Sequence, residues 1–166
     1  MDTEYGIDSR YKSDEEHKSD ATALMEKRLI RRKNLSKDKI IKAKLLQLKL
    51  KMEEYIKSPV HDNQNYFSDF LKFYIDTIYD KRSVFAKDID ITPVNLSQVL
   101  NKHREPNEEF IMKLMIHSEK VFENVCKFQK KTWYEVYYNE KICDTMSNQS
   151  RWRPLIEKHV KLSEVI

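Results

Sequence analysis

The stretch "RSVFAKDIDITPVNLSQVLN", Arg82 to Asn101, decides how this chain is read. Its apolar residues form two short helical sets: Phe85, Ala86 and Ile89, then Leu96, Val99 and Leu100. Each set faces one side of a helix and can share a core with the other. Ala86 is the contact residue, because two steeply crossing helices approach closely only where a side chain is small. Asp90 and Ile91 fall between the sets, where a tight turn is expected; aspartate tolerates a left-handed backbone better than most residues. Thr92 is the expected cap of the second helix. Pro93 takes its first turn, where a missing N–H costs nothing.

Working outward, the composition agrees with an all-α chain. Of 166 residues, 35% are charged and one, Gly6, is glycine. Phosphate-cradling loops and dinucleotide fingerprints need several glycines, so neither is expected, and no cofactor is. Tight hairpins are disfavoured for the same reason. Pro59, Pro93, Pro106 and Pro154 punctuate long stretches rich in Lys, Leu, Glu and Ile. No apolar run is long enough to span a membrane, and the acidic N-terminus lacks the apolar core of a secretion signal. Cys126 and Cys143 form no CxxC pair and read as idle thiols of a reducing, cytoplasmic setting.

The net charge of +4 is unevenly placed. Residues 1–20 carry seven acids against three bases, whereas residues 26–57 carry twelve bases against four acids. Residues 1–20 also lack an apolar period, so they are expected to be a disordered acidic arm. Residues 21–58 are expected to be a basic, amphipathic helical extension, capped first at Ser19 or Asp20 and again at Ser36. Ile41, Leu45, Leu48, Met52 and Tyr55 make its seam, spaced 4, 3, 4 and 3. Leu46, Leu48, Leu50 and Met52 also alternate as a strand would, but Leu, Lys and Gln are poor strand formers. The lysine-rich side is a solvated back on a core or dimer helix, or a contact for phosphate. A contact for a membrane surface is less favoured, because no Trp or Phe lies on the apolar face. "SPVHDNQN", Ser58 to Asn65, is the linker.

"FSDFLKFYIDTIYD" then gives a helix with Phe67, Phe70, Leu71, Tyr74 and Ile78 on one side. "NEEFIMKLMIHSEKVFENVCKF" gives another, with Phe110, Ile111, Leu114 and Met115 inward. Beyond it, residues 123–166 are expected to form a helical segment whose Trp133, Tyr134, Tyr137 and Tyr138 serve packing.

Residues 66–122 are expected to form one domain, and residues 66–116 of it resemble the helix-turn-helix of the Cro and lambda-repressor (XRE) family. That family's twenty-residue unit places a small residue fifth, here Ala86. Its apolar positions, fourth, eighth, tenth, fifteenth and eighteenth, are filled by Phe85, Ile89, Ile91, Leu96 and Val99. The "NGKRxP" that follows the recognition helix appears as "NKHREP", Asn101 to Pro106. Two glycines are replaced, the turn glycine by Asp90 and the one after Asn101 by Lys102.

The resemblance implies a dimeric, sequence-specific reader of double-stranded DNA. Val94, Asn95 and Gln98 point away from the core positions and would meet base edges, the amides gripping adenine and Val94 a thymine methyl. Arg82, Thr92, Asn101, Lys102 and His103 would hold phosphates and fix the register. The plan also looks like the antitoxins of type II toxin–antitoxin modules. A protein toxin would then be held by Tyr11, Asp14, Glu15 and Glu16 of the arm and by Ile41, Leu45, Leu48 and Met52 of the seam. A stand-alone repressor of a mobile element and a helical interaction module without DNA binding stay open. Catalysis is not expected: His17, His61, His103, His117 and His159 show no ligand spacing, and no nucleophile stands beside a base. No metal site is expected either.

Overall fold

The computed structural model describes residues 13–60 and 64–161. In chain order the helices are α1 (Asp14–Lys33), α2 (Lys37–Lys57), α3 (Tyr66–Ile78), α4 (Arg82–Asp88), α5 (Pro93–Leu100), α6 (Glu108–Phe122), α7 (Thr132–Ser147) and α8 (Gln149–Ile156), followed by one 3₁₀ turn, Glu157–His159. No strand occurs among the described residues, and none of their helices is long and apolar enough to cross a membrane. The chain divides into two compact units, residues 1–40 and 41–166.

The first unit corrects the expected arm. Helix α1 begins at Asp14, six residues before Asp20, because Ser13 caps it: its hydroxyl accepts the Glu16 N–H at 3.2 Å. Asp14, Glu15 and Glu16 then sit in the first turn, where carboxylates favour the helix dipole. A segment without an apolar period lacks a reason to pack, but it can still be helical through local caps and good formers. Residues 1–12, Tyr11 among them, lie outside the described residues.

The second unit is built around α3. Leu71, Tyr74 and Ile75 are fully buried, and five other helices pack their apolar residues into the same cluster. From α2 come Leu45, Leu48, Met52 and Tyr55; the Tyr55 ring stacks on Tyr66 of α3 at 4.2 Å and meets Phe70 edge-on at 6.2 Å. This overturns the reading of Leu45, Leu48 and Met52, with the half-buried Ile41 beside them, as a face kept for a partner. The period was right and the occupant wrong, since a seam of this width serves any apolar surface. Burying each such side chain stabilises the fold by about 1.5–3 kcal/mol. Helix α2 therefore belongs to the core and is no detachable extension.

The tail is structural as well. Trp133 and Val136 of α7 are fully buried, with Trp133 edge-on to Phe67 and to Tyr74. The α8 residues are not buried; Trp152 ties α8 back by donating its indole N–H to the Thr145 carbonyl at 2.7 Å. Cys126 is half-buried and Cys143 buried, and neither is in a disulfide.

Helices α4 and α5 fall where their sequence places them. Phe85 and Ala86 are fully buried, Ile89, Leu96, Val99 and Leu100 nearly so. Thr92 accepts the Asn95 N–H at 3.1 Å, and Pro93 opens α5. Each helix ends in the same hydrogen-bond pattern. After α4, Asp90 has φ 51°, its N–H donates to the Lys87 carbonyl and that of Ile91 to Ala86. After α5, Lys102 has φ 57°, its N–H donates to Val99 and that of His103 to Gln98. These are two Schellman closures, usually glycine-based, with Asp and Lys in the left-handed position.

Candidate nucleic-acid interface

Helix α5 presents the residues expected to read bases. Val94 is 64% exposed, and Asn95 and Gln98 are half-buried one turn apart. Gln98 is more covered than a surface position would be, because the chain folds back over it. Its backbone carbonyl accepts the N–H groups of His103 and Arg104, at 2.9 and 3.3 Å. The Asn95 side-chain oxygen accepts Nη1 of Arg104 at 3.2 Å. That bond uses the amide oxygen, not the N–H₂, and holds a guanidinium beside the helix. Arg104 stood inside the "NKHREP" match without a role of its own. The fold-back that brings it to Asn95 depends on the left-handed turn at Lys102.

The residues expected to hold phosphates divide into three kinds. Arg82 is forked onto Asp76, Nε to Oδ1 at 2.8 Å and Nη2 to Oδ2 at 2.7 Å. Those hydrogen bonds hold the Asp76 carboxyl below its ordinary range and raise the guanidinium further. Lys102 reaches Oε1 of Glu140 at 2.9 Å. Thr92 spends its hydroxyl oxygen on the cap, and Asn101 donates to the Ser97 hydroxyl at 3.3 Å. His103 is exposed. Thr92 stands at the start of α5 and Asn101, Lys102 and His103 at or past its end, so the structure does not gather the five at one point, and Arg82 and Lys102 already have carboxylate partners. Residues 80–104 hold five bases and three acids.

Glu140 of α7 was not expected at this site. It is 91% covered, and its other oxygen accepts the Phe67 N–H in the first turn of α3 at 2.7 Å. One carboxylate therefore caps α3 and anchors the turn after α5. Two neighbours on α7 hold the segment that follows: Tyr137 donates to Glu105 at 3.3 Å, and Lys141 pairs with the same carboxylate. Burial and the Glu105 charge push the Tyr137 hydroxyl up to about 12. Sequence gave no signal for this brace, since Glu140 lies 73 residues from Phe67.

The other end of α4 is held from α6. Tyr79 donates to Oδ2 of Asp88 at 2.7 Å, and its oxygen faces Nε2 of His117 at 2.8 Å. Tyr74 faces the other ring nitrogen, Nδ1, at 2.8 Å. Because Tyr79 gives its hydrogen to Asp88, it accepts from Nε2–H, and Nδ1 accepts from Tyr74. The imidazole is neutral in this chain of bonds, and burial lowers its pKa.

Among the described residues no group of three His, Cys, Asp or Glu side chains could hold a metal ion. Compared with protein-family models, with curated proteins and with solved structures, the chain matches none.

Proposed function

We propose that the second unit is a helix-turn-helix reader of double-stranded DNA, with α4 as the supporting helix and α5 as the helix entering the major groove. The observation that carries this reading is the arrangement at α5. A short capped helix stands between two left-handed turns, with Val94 and the Asn95 and Gln98 amides on its outward side. An amide that both donates and accepts can pair with N6 and N7 of adenine, and a valine methyl can meet that of thymine. Arg104, held by Asn95, adds a cation at the rim of the same face.

Cations alone would not make this surface specific. Arg82 and Lys102 are already paired, so the phosphate contribution is modest and specificity rests on the amide face. The pairing also supports the alternative of a helical interaction module that has kept the shape without the DNA. The proposal stops short of a protein toxin, because Leu45, Leu48 and Met52, expected to seat one, fill the core.

The test is electrophoretic binding to the DNA upstream of the protein's own gene, against scrambled duplex of the same length. Retarded specific duplex, weakening as salt rises, is the expected result. Equal affinity for both duplexes would leave the interaction-module reading in its place.

A further inference from the structure

Helix α1 is divided into three charge zones. Residues 14–20 hold four acids and one base; residues 21–25, "ATALM", are uncharged; residues 26–33 hold five bases and one acid. The uncharged zone lies across the middle of the helix. Leu24, Met25 and Leu29 are 51%, 64% and 48% exposed, and with Ala21 they follow the 3–4 spacing of one helical side. Every α1 residue whose burial is described is exposed. A 20-residue helix in that state lacks the packed face that supplies most helical stability in proteins.

We propose that α1 is a self-association helix whose partner is α1 of a second copy of this chain, lying antiparallel and crossing near Leu24. The charge order selects both the partner and the direction. Turned end for end about its centre, the helix sets its acidic third against the basic third of its copy, twice over by symmetry. Glu15 and Asp20 then lie alongside Lys33 and the Lys27–Arg28 pair of the second chain, while Ala21, Leu24 and Met25 meet their counterparts. A parallel pair would stack acid on acid and base on base. A nucleic acid would be repelled by the acidic third. An anionic membrane would meet the same repulsion, and the apolar side offers it no aromatic ring.

The experiment uses the full chain and sedimentation equilibrium, with circular dichroism to confirm that each variant keeps its helix. One variant reverses the acidic zone, Glu15→Lys with Asp20→Lys; a second reverses the basic zone, Lys27→Glu, Arg28→Glu and Lys33→Glu; a third carries both sets. We expect the native chain to dimerise, each half-reversal to weaken the dimer by at least about tenfold, and the third variant to recover it. Carbodiimide should also join Glu15 to Lys33 between chains of the native protein. A monomeric native chain, a dimer indifferent to both half-reversals, or a third variant as weak as the first two would each overturn the proposal.

Discussion

The turns after α4 and after α5 share one backbone, yet they are supported in different ways. Asp90 stands in the left-handed position with its side chain 99% exposed, and its contacts are to one side chain, Lys113, at 3.0 Å from the carbonyl and 3.6 Å from the carboxylate. Lys102 stands in the same position and is tied to Glu140, which is itself committed to the start of α3. A left-handed non-glycine residue costs about 1–2 kcal/mol. At Asp90 little offsets that cost beyond the local hydrogen bonds. At Lys102 the side chain completes a partly buried ion pair, so the residue that strains the turn also ties it to α7. The lesson is that the same departure from glycine can be a tolerated cost in one turn and part of the support in the other.

The largest effect should come from removing the support. Glu140→Ala leaves the Phe67 N–H and the Lys102 ammonium without their acceptor, and should destabilise the unit by about 3 kcal/mol in urea unfolding. Little change would mean that solvent replaces the carboxylate and that α7 does not brace the turn. Lys102→Gly sharpens the comparison further. It relaxes the backbone but strands Glu140, so a net loss of about 1–2 kcal/mol is expected. A gain would make the two turns equivalent.

The turn after α4 should respond to acid, because the His117 network pins the end of that helix. A folded-state imidazole pKa below the ordinary 6.5 means that the unfolded chain takes up the proton first. Stability is then full above 6.5 and declines as pH falls below it toward the folded value, by up to about 1.4 kcal/mol per unit. Protonation puts hydrogens on both ring nitrogens and takes from Tyr74, fully buried, the acceptor of its hydroxyl. Comparing unfolding at pH 7 and at about pH 5.5, His117→Asn should flatten the decline; an unchanged slope would place it elsewhere. The smallest effect should be Asp90→Gly, a gain of up to about 1 kcal/mol, seen as a higher urea midpoint. A loss would show that the Asp90 contacts to Lys113 outweigh the strain.

These two turns also mark how far the sequence could be read. The bounds of α4 and α5, the Thr92 cap and the left-handed Asp90 depend on neighbours within a few residues, and each was visible in the stretch itself. The brace at Lys102 was invisible, because Glu140 sits 38 positions onward in a segment where only the aromatic residues carried an expectation of packing. Helix α2 teaches the same point from the other side. Its seam announced a buried face, but only tertiary structure says that Leu45, Leu48 and Met52 meet α3 and its neighbours in one core. Arg104 was hidden likewise, since its contact with Asn95 exists only once the chain turns back at Lys102.

The central claim is that the outward side of α5, held between these turns, reads bases. Selection of duplexes from a random-sequence pool tests it most directly, with the native protein and with Gln98→Ala run in parallel. The native chain should enrich one sequence motif. Gln98→Ala should keep the fold, bind that motif more weakly by about 1–3 kcal/mol, and lose preference at one base pair of each half-site. An unenriched pool, or a motif that Gln98→Ala leaves unchanged in both strength and sequence, would contradict the account.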